Sequence, residues 1–294
     1  MKPIATVFGD VRVITHYPYL RKASLLASLF LAVLHSNAHA TTIIVVRLAS
    51  KIYIAADGKA VRGTGEAHQV CKILQCGPTF VSFSGHPSLP NFSALEVASN
   101  ACGADKNIVD CIDAFEKIAA PKIKDAAELY RILDRAKFSE MFEGGDRIVL
   151  QAIFAGFNGE TPIVYVLEFK VTNTSDQPTM IQPIRHSYLN RLSGNQADVL
   201  LFGQKAAILQ SPNRTLDIAT IESQLRQMIQ VEIKGEPALV GPPIDILRIT
   251  SGGAEWVDQE KDSQCQAIKQ PRQKRATTTK RPSPKKPKAK RFTV

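Results

Sequence analysis

The chain has 294 residues, 44% of them hydrophobic, with 37 Lys and Arg against 27 Asp and Glu for a net charge of +10. That apolar content excludes a wholly disordered chain. Eleven cations, four prolines and no acidic residue fall between Lys269 and Arg291, leaving 26 basic against 27 acidic side chains elsewhere. The body is therefore near neutral, and no folded stretch interleaves aromatic and basic residues, so a surface for specific nucleic-acid recognition is excluded.

In chain order, Arg21 and Lys22 precede an apolar run from Ala23 to Leu34, followed by Ala38-His39-Ala40. A positive region, a short apolar core and a small-x-small site make a secretory signal, with the cut predicted after Ala40 and a mature N-terminus at Thr41. The core of 12 residues falls short of the roughly 20 needed to span a bilayer. No transmembrane anchor is expected after cleavage, and the mature protein is expected in the periplasm or outside the cell.

Thr42–Val46 and Ile52–Ala56 are β-branched runs around a turn-sized gap and read as an opening hairpin. Val70–Leu74 and Thr79–Phe83 read as a second strand pair around Gly77-Pro78. Asn91–Cys102 and Ile108–Glu143 read as helices, the second broken at Pro121. Ile148–Phe157 and Pro162–Val171 flank Asn158-Gly159, a hairpin-turn pair. Val199–Phe202 is a short strand. Thr215–Ile233 carries Ile218, Ile221, Leu225, Met228 and Ile229 at helical spacing. Ile244–Ile249 and Ala254–Val257 close the fold as strands turning at Gly252-Gly253. Hairpins interrupted by helices predict an α+β architecture, a four-layer αββα sandwich of two antiparallel sheets. The folded domain is placed at residues 41–260, followed by a basic disordered tail over 261–294.

Five cysteines suit an oxidising compartment. Cys102 and Cys111 flank a turn-like segment, and Cys71 and Cys76 lie five apart, so each pair is spaced for a local bridge. Six scattered histidines form no ligand pattern, and neither metal nor cofactor is expected.

A cut after Ala40 would place a hydroxyl and a free α-amine on one residue, Thr41. An α-amine titrates near 8, so a useful fraction can accept the hydroxyl proton directly or through a water. The residues around it carry a resemblance. Thr41-Thr42-Ile43-Ile44-Val45-Val46-Arg47, then Ala55-Ala56-Asp57-Gly58, resemble the start of proteasome β-type peptidases, most of all the peptidase subunit of the bacterial proteasome-like protease. The spacing from Thr41 to Asp57 matches that family without a gap. Cys71-Lys72-Ile73-Leu74 is similar to the strand carrying the family's catalytic lysine. The resemblance implies Thr41 as nucleophile, with Asp57 and Lys72 as a buried ion pair beside it; an ordinary structural salt bridge is the other reading of that pair. Val81-Ser82-Phe83-Ser84-Gly85 is similar to the family's oxyanion segment and implies Ser82 as a backbone donor. Lys59 and Gly203 are the supporting positions. Val240-Gly241-Pro242-Pro243 and Gly252-Gly253 resemble the passage into the last hairpin.

The chain departs from the pattern where Gln204 follows Gly203 and where Val240 stands, both serine positions in the family, and where Pro237 stands at an acid position. Two functions follow. One is an exported threonine hydrolase cleaving a peptide or other amide. The other is a non-catalytic scaffold of the same fold. In either case the tail suits an anionic cell-envelope polymer or is simply solvated, and the family's rings imply a homo-oligomer.

Overall fold

The computed structural model describes residues 11–13, 41–61, 66–194, 196–211, 216–260 and 263–265. Apart from 11–13, the predicted signal segment lies outside the described residues, and so does the basic stretch after 265.

The protein is a mixed α/β fold with several antiparallel sheets and few helices. A six-stranded sheet has the order β1 (Val11–Val13), β13 (Ala197–Gly203), β2 (Thr42–Arg47), β3 (Lys51–Asp57), β14 (Ile244–Thr250), β15 (Gly253–Gln259). A five-stranded sheet runs β12 (Ile181–Tyr188), β11 (Thr161–Val171), β10 (Ile148–Asn158), β7 (Thr79–Gly85), β6 (Ile73–Cys76). Two short pairs join β4 (Lys59–Val61) to β5 (Ala67–Gln69) and β8 (Ser88–Leu89) to β9 (Phe92–Ser93). The six-stranded sheet is not purely antiparallel as expected, because β1 lies parallel to β13.

Alternation along β2 explains its unbroken β-branched run. Ile43 and Val45 pack with Ile52, Ile54, Phe80, Ile153 and Val164 between the two large sheets. Ile44 and Val46 face the other way, onto Leu225 and Ile229 of the helix Ile221–Gly235. Successive residues of a strand point to opposite faces, so a strand covered on both sides must be apolar at every position. A third core joins Ile112, Phe115 and Ile123 of α2 (Ile108–Leu133) to Leu150, Phe154 and Leu167 of the five-stranded sheet. Helix α1 (Ala94–Ala101) precedes α2, and the side chains of Ser93 and Asn107 accept amide protons at their first turns.

The long helical region breaks at Asp134 and not at Pro121. Pro121 sits on an exposed face within α2, and the hydrogen bond it lacks would fall on the carbonyl of Lys117, also exposed, where water can replace the missing donor. Asp134 leaves helical geometry and caps α3 (Arg135–Phe138), which continues into a π-helical turn at Ser139–Glu143. The unassigned stretch after Thr172 supplies β12, which pairs with β11.

Cys102 and Cys111 are bonded as expected. Cys71 is bonded to Cys265, and Cys76 is free and buried. Five residues of extended chain span about 16 Å, far beyond the roughly 5.5 Å that a disulfide bridges. The two side chains also part ways, since Cys76 packs in the helix-facing core and Cys71 against the core between the sheets.

Candidate active site

The site forms where the opening hairpin ends. The β2–β3 register sets Ile43 opposite Ala56, which brings Thr42 beside Asp57. After Asp57 the chain turns through Gly58, whose amide donates to the Gly241 carbonyl at 3.2 Å. A Cβ on Gly58 would lie 2.4 Å from the Pro243 ring, so this close approach requires glycine.

Asp57 is fully buried, and its carboxylate accepts four donors. Oδ1 takes the Thr42 amide at 2.7 Å and Lys72 Nζ at 2.7 Å. Oδ2 takes the amides of Lys59 at 3.2 Å and Gly241 at 3.3 Å. A buried carboxylate is tolerated when its lone pairs are occupied and a cation stands against it. Lys72 supplies that cation with a side chain only 6% exposed. Burial pushes the lysine pKa below its ordinary 10.5, and the attraction of Asp57 works against that shift.

Lys72 reaches Asp57 from an irregular segment. The predicted strand over Val70–Leu74 resolves into β5, which ends at Gln69, and β6, which starts at Ile73. Residues 70–72 belong to neither ladder, and the Val70 amide donates to the Gly58 carbonyl at 2.8 Å.

Thr41 is 7% exposed. Its carbonyl accepts the Gln204 amide at 2.7 Å, and the Thr42 hydroxyl donates to the Gln204 carbonyl at 2.9 Å. Gly203 has φ +72°, and a Cβ there would lie 1.7 Å from the Thr41 carbonyl oxygen. Glycine is needed on both counts. Lys59 donates its backbone amide to Asp57, while its Nζ donates to the Pro237 carbonyl at 2.6 Å. A cleft of about 380 Å³ lies against Lys59 and Gly241, with His68, Gln69, Pro237 and Val240 also in its lining.

Ser82, the expected backbone donor to an oxyanion, is placed within a sheet. It lies inside β7, in register with Ile73 of β6 on one side and Ile153 of β10 on the other. Its backbone is therefore committed to the sheet, and its buried hydroxyl has no hydrogen-bond partner among the described residues. Ser84, two residues further on the same face, comes closer to the site. A Cβ on Gly203 would lie 3.1 Å from its hydroxyl oxygen.

The structure thus gathers Thr41, Thr42, Asp57, Lys59, Lys72 and Gly203, and leaves Ser82 within the sheet. It adds Gln204, Gly241 and Ser84. Gln204 and Val240 carry no hydroxyl, but the Gln204 backbone holds Thr41 and Thr42, and Gly241, next to the buried Val240, holds Asp57. Backbone contacts of this kind are indifferent to the side chain, and for that reason residue type could not reveal them. Among the described residues no group of three or more His, Cys, Asp or Glu could hold a metal ion, and no helix is long and apolar enough to cross a membrane. No family model matches the chain, and no curated protein matches it.

Proposed function

We propose that the protein is an exported hydrolase of the N-terminal-nucleophile class, with the αββα sandwich of proteasome β-type peptidases and Thr41 as nucleophile. One observation carries this reading. The buried Asp57 carboxylate binds Lys72 Nζ and the backbone of Thr42 through the same oxygen, beside the threonine that a signal-peptide cut would expose.

In the proposed reaction the Thr41 hydroxyl attacks the carbonyl carbon of a peptide or other amide. The α-amine of Thr41 takes the hydroxyl proton and delivers it to the leaving nitrogen as the C–N bond breaks. Water then hydrolyses the Thr41 ester and regenerates hydroxyl and amine. The Lys72 ammonium lowers the pKa of the nucleophilic group electrostatically, and Asp57 holds the ammonium in place. The reaction requires neither metal nor cofactor. The location is periplasmic or extracellular, with the basic tail suited to an anionic envelope polymer.

A scaffold reading draws support from Val240, a buried apolar side chain at a family serine position. Mass spectrometry of the exported protein, followed by a threonine-directed epoxyketone, separates the two. The hydrolase should begin at Thr41 and form a covalent adduct there that Thr41→Ala abolishes. A mature N-terminus elsewhere, or equal labelling of Thr41→Ala, removes Thr41 as nucleophile.

A further inference from the structure

We propose that the Cys71–Cys265 disulfide is a positioning element for Lys72, strapping the segment that carries the lysine to the sheet that carries Asp57. The inference rests on the reading of Lys72 as the cation of the site.

Lys72 and Asp57 come from different layers. Asp57 ends β3 in the six-stranded sheet, while Lys72 immediately precedes β6 in the five-stranded sheet. Residues 70–72 have no ladder of their own. The Val70 amide is held by Gly58, and the next residue, Cys71, is cross-linked to a cysteine 194 positions away.

The far end of the cross-link is anchored on β15, two strands from Asp57 in the same sheet. Gln259 Nε2 donates to the Cys265 carbonyl at 3.0 Å, and the Cys265 amide donates to Ser263 Oγ at 3.1 Å. Gln259 lies on β15 opposite Asp245 of β14, and Asp245 lies opposite Ala56 of β3. One covalent link therefore refers the lysine backbone to the edge of the sheet that carries Asp57, through β15 and β14. A lysine side chain has several rotatable bonds, so a fixed backbone origin is what limits where its ammonium can stand. Misplacement of a reacting-site group by about 1 Å can cost about a hundredfold in rate. The second disulfide is a built-in control, because Cys102–Cys111 closes a local loop between α1 and α2 in the helical layer.

The test compares the exported full chain with Cys71→Ser/Cys265→Ser and with Cys102→Ser/Cys111→Ser. Folding is checked by circular dichroism, and trimethylamine N-oxide is present throughout to offset the lost loop closure. The pH midpoint for acetylation of the Lys72 amine is read by mass spectrometry, and the epoxyketone rate at Thr41 is followed against pH. Loss of Cys71–Cys265 should move the Lys72 midpoint upward, towards an ordinary lysine, and slow Thr41 labelling at least tenfold. Loss of Cys102–Cys111 should leave both within twofold of the starting protein. An unmoved midpoint with an unchanged rate profile in the folded Cys71/Cys265 variant overturns the proposal, as does an equal effect of the two pairs. If the starting protein is not labelled at Thr41, the hydrolase reading fails, and the Lys72 midpoint alone decides the positioning claim.

Discussion

Strand β2 has a buried cation–carboxylate pair at each end, and the two pairs differ in kind. At its C-terminal end Arg47 donates from Nε and Nη2 to Asp198 Oδ2 at 2.9 and 2.5 Å. Its Nη1 donates to the carbonyls of Pro162 at 3.2 Å and Asn190 at 2.9 Å. Pro162 belongs to β11, so the planar guanidinium ties the two large sheets together. At the N-terminal end Lys72 meets Asp57 beside Thr42. A guanidinium keeps its charge at any working pH, whereas an ammonium can lose its proton when buried. The same device thus serves as a permanent clamp at one end and as a titratable centre at the end where a nucleophile would be exposed.

Lys72→Ala attacks this contrast most directly. Epoxyketone labelling of Thr41 should fall by about a thousandfold, within the range for loss of a preorganised electrostatic group, while circular dichroism still reports a folded protein. Normal turnover by Lys72→Ala would refute the catalytic assignment. Arg47→Ala should do the reverse. Leaving Asp198 buried without its partner should cost about 3–5 kcal/mol of stability, read by urea unfolding, with labelling per folded molecule within twofold. A loss of labelling that exceeds the loss of folded protein would erase the distinction between the two ends.

A smaller effect concerns pH. Burial lowers the Lys72 pKa below 10.5. Between the folded and unfolded values the unfolded chain binds the proton and the folded chain does not, so this group makes stability rise with pH across that window. Below the folded value the cost of burying the ammonium is present in full. The labelling rate should rise as the α-amine titrates near 8 and decline again before 10.5, as the site loses its cation. A rate that keeps climbing through 10.5 would show that the charge on Lys72 is not required.

Much of the site was legible because it is local. Thr41 immediately precedes β2, Asp57 ends β3 and Lys72 immediately precedes β6, so all three sit at ends of early strands that β-branched runs and Gly58 help to locate, and the expected signal-peptide cut points to Thr41. A strand pattern does not say which residue of β7 reaches the edge of the ladder and which stays inside it, as Ser82 does. Gln204 and Gly241 act through backbone groups, so their side chains give no signal. Cys265 lies beyond the last strand and faces Cys71 only after both sheets have been laid down.

By itself the sequence determined the alternation of strands and helices and the position of the charge-dense tail, since each depends on periodicity or on neighbours along the chain, while the signal-peptide rule and the family resemblance pointed to Thr41, Asp57 and Lys72 as the proposed catalytic centre. The tertiary structure alone decided which oxygen of Asp57 Lys72 binds, that Gly203 must leave room for the Thr41 carbonyl, that Cys71 pairs with Cys265, and that the pair at Arg47 is a clamp. Those features depend on the approach of segments far apart in the chain, which is set by how the sheets and helices bury their apolar faces together.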